Sequence, residues 1–169
     1  MVGAGVSQPV LLCRDVDLTD VRALLAHYGL TLTAVPEGDA IPGSFWKDSE
    51  AGLVGMMVYA RADTPIHSVL HEVCHCICMD SRRRRALHTD AGGDYDEENA
   101  VCYLQILLAD LLPGVGRARL FADMDAWGYS FRLGSAQRWF EEDAQDAREW
   151  LLRERLINSG AQPNWRLRD

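Results

Sequence analysis

Thr64-Pro65-Ile66-His67-Ser68-Val69-Leu70-His71-Glu72-Val73-Cys74-His75-Cys76-Ile77-Cys78 is the stretch that decides how this chain folds. Thr64 before Pro65 reads as a helix start, because a threonine hydroxyl can cap free amides and proline is tolerated where its missing N–H has no partner. Ile66, Val69, Leu70, Val73, Cys74 and Ile77 then recur at helical spacing, which predicts a buried helix running to about Met79. His71 and His75 stand four residues apart, so both imidazoles leave one face a single turn apart, with Glu72 beside them. Three polar groups in an otherwise apolar helix need a chemical reason to be there.

Zinc supplies one. It takes neutral imidazole nitrogen, and a catalytic zinc site uses three protein ligands and keeps a fourth position open for water. His71-Glu72-Val73-Cys74-His75 is an HExxH pattern: it offers two ligands and leaves Glu72 as general base toward that water, whose pKa zinc lowers to about 7. One zinc ion per chain is the expectation. A bland reading makes the histidines hydrogen-bonded core or surface residues and Glu72 a solvated one. A structural zinc using Cys74 or Cys78 is a further alternative, but ligands drawn from one straight helix cannot surround a tetrahedral ion, so the cysteines read as small buried hydrophobes.

Upstream, Leu18, Val21, Leu24, Leu25 and Tyr28 mark an amphipathic helix between Asp17 and Gly29. Leu30, Leu32 and Ala34 alternate as a half-buried strand before the turn Pro36-Glu37-Gly38-Asp39. Gly52 to Arg61 reads as a buried strand, with Ile41-Pro42-Gly43-Ser44-Phe45-Trp46 as a loop or irregular edge before it. Downstream, Arg82 to Arg85 reads as a solvated loop and Thr89 to Asp94 as another, after which Asp94 to Glu98 place acids in the first turn of a helix that stops before Pro113-Gly114. Ala118 to Leu156 holds one or two helices broken around Gly128 to Gly134, with Glu141, Glu142, Asp143, Asp146 and Glu149 on a solvated face. Residues 158–169 read as a loose tail.

No repeat or linker divides the 169 residues, so one α+β domain is expected: a small, mostly antiparallel sheet packed on the histidine helix, with a second helix behind it. The composition, 48% hydrophobic and 25% charged, is that of a globular protein. A net charge of -8 argues against a phosphate-tracking surface, so no nucleic-acid partner is expected. Met1 to Pro9 lacks the basic-then-apolar pattern of a secretory leader. The longest apolar stretch, Val101 to Leu112, is interrupted by Gln105 and Asp110 and falls short of the ~20 residues a bilayer needs, so no membrane partner is expected either. Five cysteines, three alternating as Cys74, Cys76 and Cys78, fit reduced thiols in a cytoplasm rather than a disulfide framework.

The HExxH helix followed by Glu97-Glu98-Asn99-Ala100-Val101 resembles the gluzincin metallopeptidases, in which a second helix donates a glutamate, often as Glu-x-x-Ala with Asp or Asn next. Within them it is most similar to the small cytoplasmic metallopeptidases linked to bacterial stress and phage-repressor cleavage, over roughly Leu53 to Leu112. It departs from that subgroup in carrying Val101 where Asn is usual and in lacking an attached DNA-binding helix-turn-helix. The resemblance implies a minimal zincin-like fold and a zinc peptidase acting on a peptide or protein.

Carried onto this chain, the pattern makes Glu97 the third ligand, since Ala100 one turn later lets the two helices approach. Helix phase agrees, with Glu97 beside Val101, Leu104 and Leu108 and opposite a wet face of Asn99, Tyr103 and Asp110. Glu98 remains the alternative, because it flanks Cys102 and Gln105 on a face that could equally border a cleft. Asp94 and His88, in the preceding loop, are further candidates. Tyr129 and Arg132 could stabilise an oxyanion if their turn folds over the metal, and His67 could orient His71.

The reaction so implied has Glu72 take a proton from the attacking water and return it to the leaving amine. An edge strand over Leu53 to Tyr59 could hold an extended peptide. The rival readings are a non-catalytic zincin-like binding or regulatory module, and hydrolysis of a non-peptide amide.

Overall fold

In the computed structural model, which describes residues 9–44, 48–86 and 92–169, the elements run α1 (Leu18–Ala26), β1 (Thr31–Ala34), β2 (Gly52–Val54), β3 (Met57–Ala60), α2 (Ile66–Cys78), α3 (Ser81–Arg85), α4 (Tyr95–Ala109), α5 (Gly116–Trp127), α6 (Ala136–Glu142) and α7 (Gln145–Arg153). The leader reading at Met1 to Gln8, Phe45, Trp46 and His88 lie outside the described residues. The mixture of helices with one small sheet agrees with an α+β chain.

The sheet corrects two expectations. Gly52 to Arg61 is not one strand but a hairpin, because Gly55 at φ +59 turns the chain between β2 and β3. The strand order is β1-β3-β2, with β1 parallel to β3 and β2 antiparallel to it, so the sheet is mixed rather than mostly antiparallel. β3 is the central strand with both edges paired, so Met57 to Tyr59 cannot receive a peptide. The remaining stretch of the predicted edge is approached closely by the chain at Pro42 to Ser44: a Cβ at Gly52 would collide with the Pro42 carbonyl oxygen.

α2 lies between the sheet and α4, and α4 in turn packs on α5 and α7. Ile66, Val69, Leu70, Val73, Cys74, Cys76, Ile77 and Cys78 are all buried there. Its start differs in detail from the capping prediction. Pro65 is the N-cap and Thr64 Oγ1 accepts from the Arg61 amide at 2.9 Å, while the Ile66 amide donates to the Leu11 carbonyl at 2.9 Å. The N-terminal segment thus satisfies the first amide of the helix.

Three further expectations change. Tyr103 is buried, stacked on Phe140 with centroids 4.5 Å apart, and not on a wet face. Arg82 to Arg85 form α3, capped by the Asp80 side chain, and not a loop. Residues 158–169 are tied down: Trp165 packs 4.4 Å from the His27 ring, the Arg168 amide donates to the Ile77 carbonyl at 2.9 Å, and Ile157 bridges to Pro163. Among the described residues no helix is long and apolar enough to cross a membrane.

Candidate metal centre

The i, i+4 spacing on α2 brings His71 Nε2 to 3.1 Å from His75 Nε2. The first turn of α4 adds one carboxylate: Glu98 Oε1 lies 3.1 Å from His71 Nε2, and Glu98 Oε2 3.2 Å from His75 Nε2. Among the described residues, His71, His75 and Glu98 are the set of histidine, cysteine and acidic side chains whose ligand atoms converge, all within 4.8 Å of one another. Asp94 starts that turn, its side chain accepting from the Glu97 amide at 2.9 Å, so its carboxylate serves as a helix cap.

The protons around these atoms test whether a cation fits. His71 Nδ1 meets Gln105 Oε1 at 3.0 Å, an acceptor, so this ring carries its hydrogen on Nδ1 and turns the Nε2 lone pair toward His75 and Glu98. Two carboxylate oxygens and one imidazole lone pair therefore converge where at most one His75 hydrogen is available. That is the donor set of a divalent cation such as zinc. Without metal a proton takes that part. Burial works against charging His71, but Tyr129, Cys102 and Glu98 outweigh it and hold its pKa well above the ordinary value. Burial likewise pushes Glu98 up, yet the hydrogen bond and charge of His71 and the charge of His75 hold it below the ordinary carboxylate range.

Glu97 is elsewhere. Its carboxylate is buried and bonded by both ends of the Arg83 guanidinium at 2.8 and 2.9 Å, with Arg168 Nη1 at 3.7 Å. A carboxylate buried on this face needs a cation; here the cations are arginines, so the alternative Glu98 replaces Glu97 beside the histidines. Gly93, at φ +105, makes room for this pair: a Cβ there would stand 3.1 Å from the Glu97 carboxylate.

A cleft of about 270 Å³ opens on the site, lined by Glu50, Ala51, His67, Ser68, His71, Glu72, His75, Trp127 and Tyr129. Glu72 is thus beside the histidines, as its place on α2 requires. Tyr129 does fold over the site: its hydroxyl is 3.1 Å from His67 Nδ1 and its ring centroid 5.6 Å from that of His71. Burial raises the phenol's pKa, so it stays protonated at neutral pH. His67 is buried, and burial together with the nearby charge of His71 lowers its pKa to about 3, so it is a neutral ring rather than a solvated one. Arg132 is not brought in. It pairs with Asp143 at 2.8 Å and lines a separate cleft of about 280 Å³ with Tyr95, Asp96 and Trp139. No family model, curated protein or solved structure matches the chain.

Sequence reasoning missed three participants. Gln105 reads as an interruption of an apolar run and as a neighbour of Glu98 on a face that could border a cleft, with no role of its own, although a buried amide inside such a run must find partners. Arg83 belongs to the arginine run 82–85, whose charge suits nearby acids, but fourteen residues separate it from Glu97 and no local pattern names that partner. Trp127, which donates to Glu50 at 3.3 Å on the cleft wall, lies seventy-seven residues from its partner.

Proposed function

We propose that the chain is a zinc-dependent hydrolase of peptide bonds, in which His71, His75 and Glu98 hold the ion and Glu72 is the general base. The observation that carries this reading is the convergence of two imidazole nitrogens and one carboxylate within 3.2 Å, with Glu72 on the same helix and the same cleft. Zinc held there supplies a Lewis acid that polarises a carbonyl and makes water acidic near pH 7, about the value it reaches in such sites. The Glu72 carboxylate accepts the attacking water's proton and hands it to the departing amine nitrogen. The Tyr129 hydroxyl, kept protonated by burial, lines the same cleft and is the donor assigned to the developing oxyanion.

An HExxH helix beside a glutamate from the next long helix is the arrangement the gluzincin resemblance implies, and it supports a peptide or protein substrate. Glu50 and Ala51, which lead into β2, line the cleft. Five free, buried cysteines support a reducing, cytoplasmic setting, and the net charge of -8 speaks against a nucleic-acid partner.

The test is a peptide-library digest by the zinc-loaded chain and by its Glu72→Gln variant, with zinc counted in both. Cleavage by the wild type that disappears in Glu72→Gln while zinc stays bound is the expected result. Bound zinc without turnover in either form would replace the enzyme with a non-catalytic module, and a folded wild type that takes up no zinc would sink the metal reading.

A further inference from the structure

Gln105 is completely buried on α4, seven residues and so about two turns beyond Glu98, on the same face. Its side chain reaches α2 at two points. Nε2 donates to the His67 carbonyl at 2.7 Å, and Oε1 lies 3.0 Å from His71 Nδ1. A carbonyl oxygen only accepts, so the first contact fixes which end of the amide faces which way. The second hydrogen on Nε2 points toward the Tyr129 hydroxyl, 3.4 Å away, which favours the same orientation. Oε1 is left facing His71 Nδ1, and that nitrogen has to donate.

We infer that Gln105 is a positioning residue that locks His71 in the Nδ1–H tautomer and so aims its Nε2 lone pair at the metal. This rests on the metal reading above. An unconstrained neutral imidazole populates both tautomers, and the one with hydrogen on Nε2 cannot bind metal through that atom. Because one helix carries both Glu98 and Gln105, the carboxylate ligand and the group that orients the imidazole ligand keep a rigid spacing. An amide does this without adding a negative charge beside the Glu98 carboxylate and a cleft already lined by Glu50 and Glu72.

The experiment is long-range proton–nitrogen NMR of histidine side chains in the full metal-free chain, at a pH alkaline enough for neutral rings, paired with zinc titration. Wild-type His71 is expected to carry its hydrogen on Nδ1. Gln105→Leu should release an Nε2–H population and weaken zinc by about 10–100-fold, the usual cost of losing such a partner. Gln105→Glu, which retains the acceptor toward His71 Nδ1 but gives up the donor to the His67 carbonyl, should restore the Nδ1–H tautomer. A wild-type ring with hydrogen on Nε2, or an unchanged tautomer in folded Gln105→Leu, overturns the assignment. If Gln105→Leu fails to fold, the wild-type spectrum and Gln105→Glu still decide it. Zinc binding with an Nε2–H ring sinks this inference alone; an Nδ1–H ring that binds no zinc upholds the orientation by Gln105 and sinks the metal reading.

Discussion

Glu97 and Glu98 leave the same turn of α4 about 100° apart and meet cations of different kinds. Glu97, with its side chain only 5% exposed, is gripped by an arginine fork; Glu98, 46% exposed, spans two imidazoles. Arginine keeps its charge at any physiological pH and uses both carboxylate oxygens in fixed directions, which closes the site to anything else. Imidazole can release its proton and leave a lone pair in place. Burial of a carboxylate therefore says that a cation is near, while the chemistry of that cation says whether a metal can enter. In this chain the more exposed acid is the one with the reactive surroundings.

The sharpest way to break this contrast is Glu98→Ala, which removes one ligand of three. Zinc affinity should fall on the order of 1,000-fold, more than the roughly 100-fold that outer-shell changes cost, as read by competition with a chromophoric chelator. Affinity within threefold of wild type would refute the ligand set. Glu97→Ala should behave oppositely, leaving zinc on the folded chain but lowering stability in urea by about 3 kcal/mol. That is the low end for breaking a buried pair, since Arg83 and Arg168 keep some contact with water. A stable Glu97→Ala that no longer holds zinc would reverse the two roles.

The smallest of these effects separates burial from pairing on the histidine side, where His67 and His71 share a face of α2. With a folded pKa of about 3, His67 stays neutral between that value and its ordinary 6.5, while the unfolded chain takes up a proton. Stability of the metal-free chain should therefore drop as pH falls through this window, by at most about 1.4 kcal/mol per unit from this group. In His67→Phe the slope of unfolding free energy against pH should be shallower by up to that amount. An identical slope would mean that His67 is charged in the folded protein.

Several elements were legible because their causes are local. Asp17 caps α1 as its side chain allows, and the apolar spacing of α2 matches its burial, whereas α4 is buried on the face the spacing marks as wet at Tyr103. Other features depended on chain that is far away in sequence. Gly55 alone divides an apolar run into two strands, yet their order β1-β3-β2 reflects pairing between segments more than twenty residues apart. The last residues looked polar and loose because their anchors, His27, Ile77 and Arg84, belong to elements formed much earlier in the chain.

The sequence by itself determined that His71, Glu72 and His75 share one edge of a helix, since a repeat of 3.6 residues per turn sets those directions whatever surrounds it. It also determined that a buried glutamate near position 97 would need a positive partner. Only the tertiary structure decided that Arg83 is that partner, that Glu98 faces the imidazoles, and that Gln105 orients one of them. Helix periodicity gives the angle between neighbouring side chains but not the rotation of the helix about its own axis. For α4 that rotation follows from its packing against α2, α5 and α7, which no local pattern encodes.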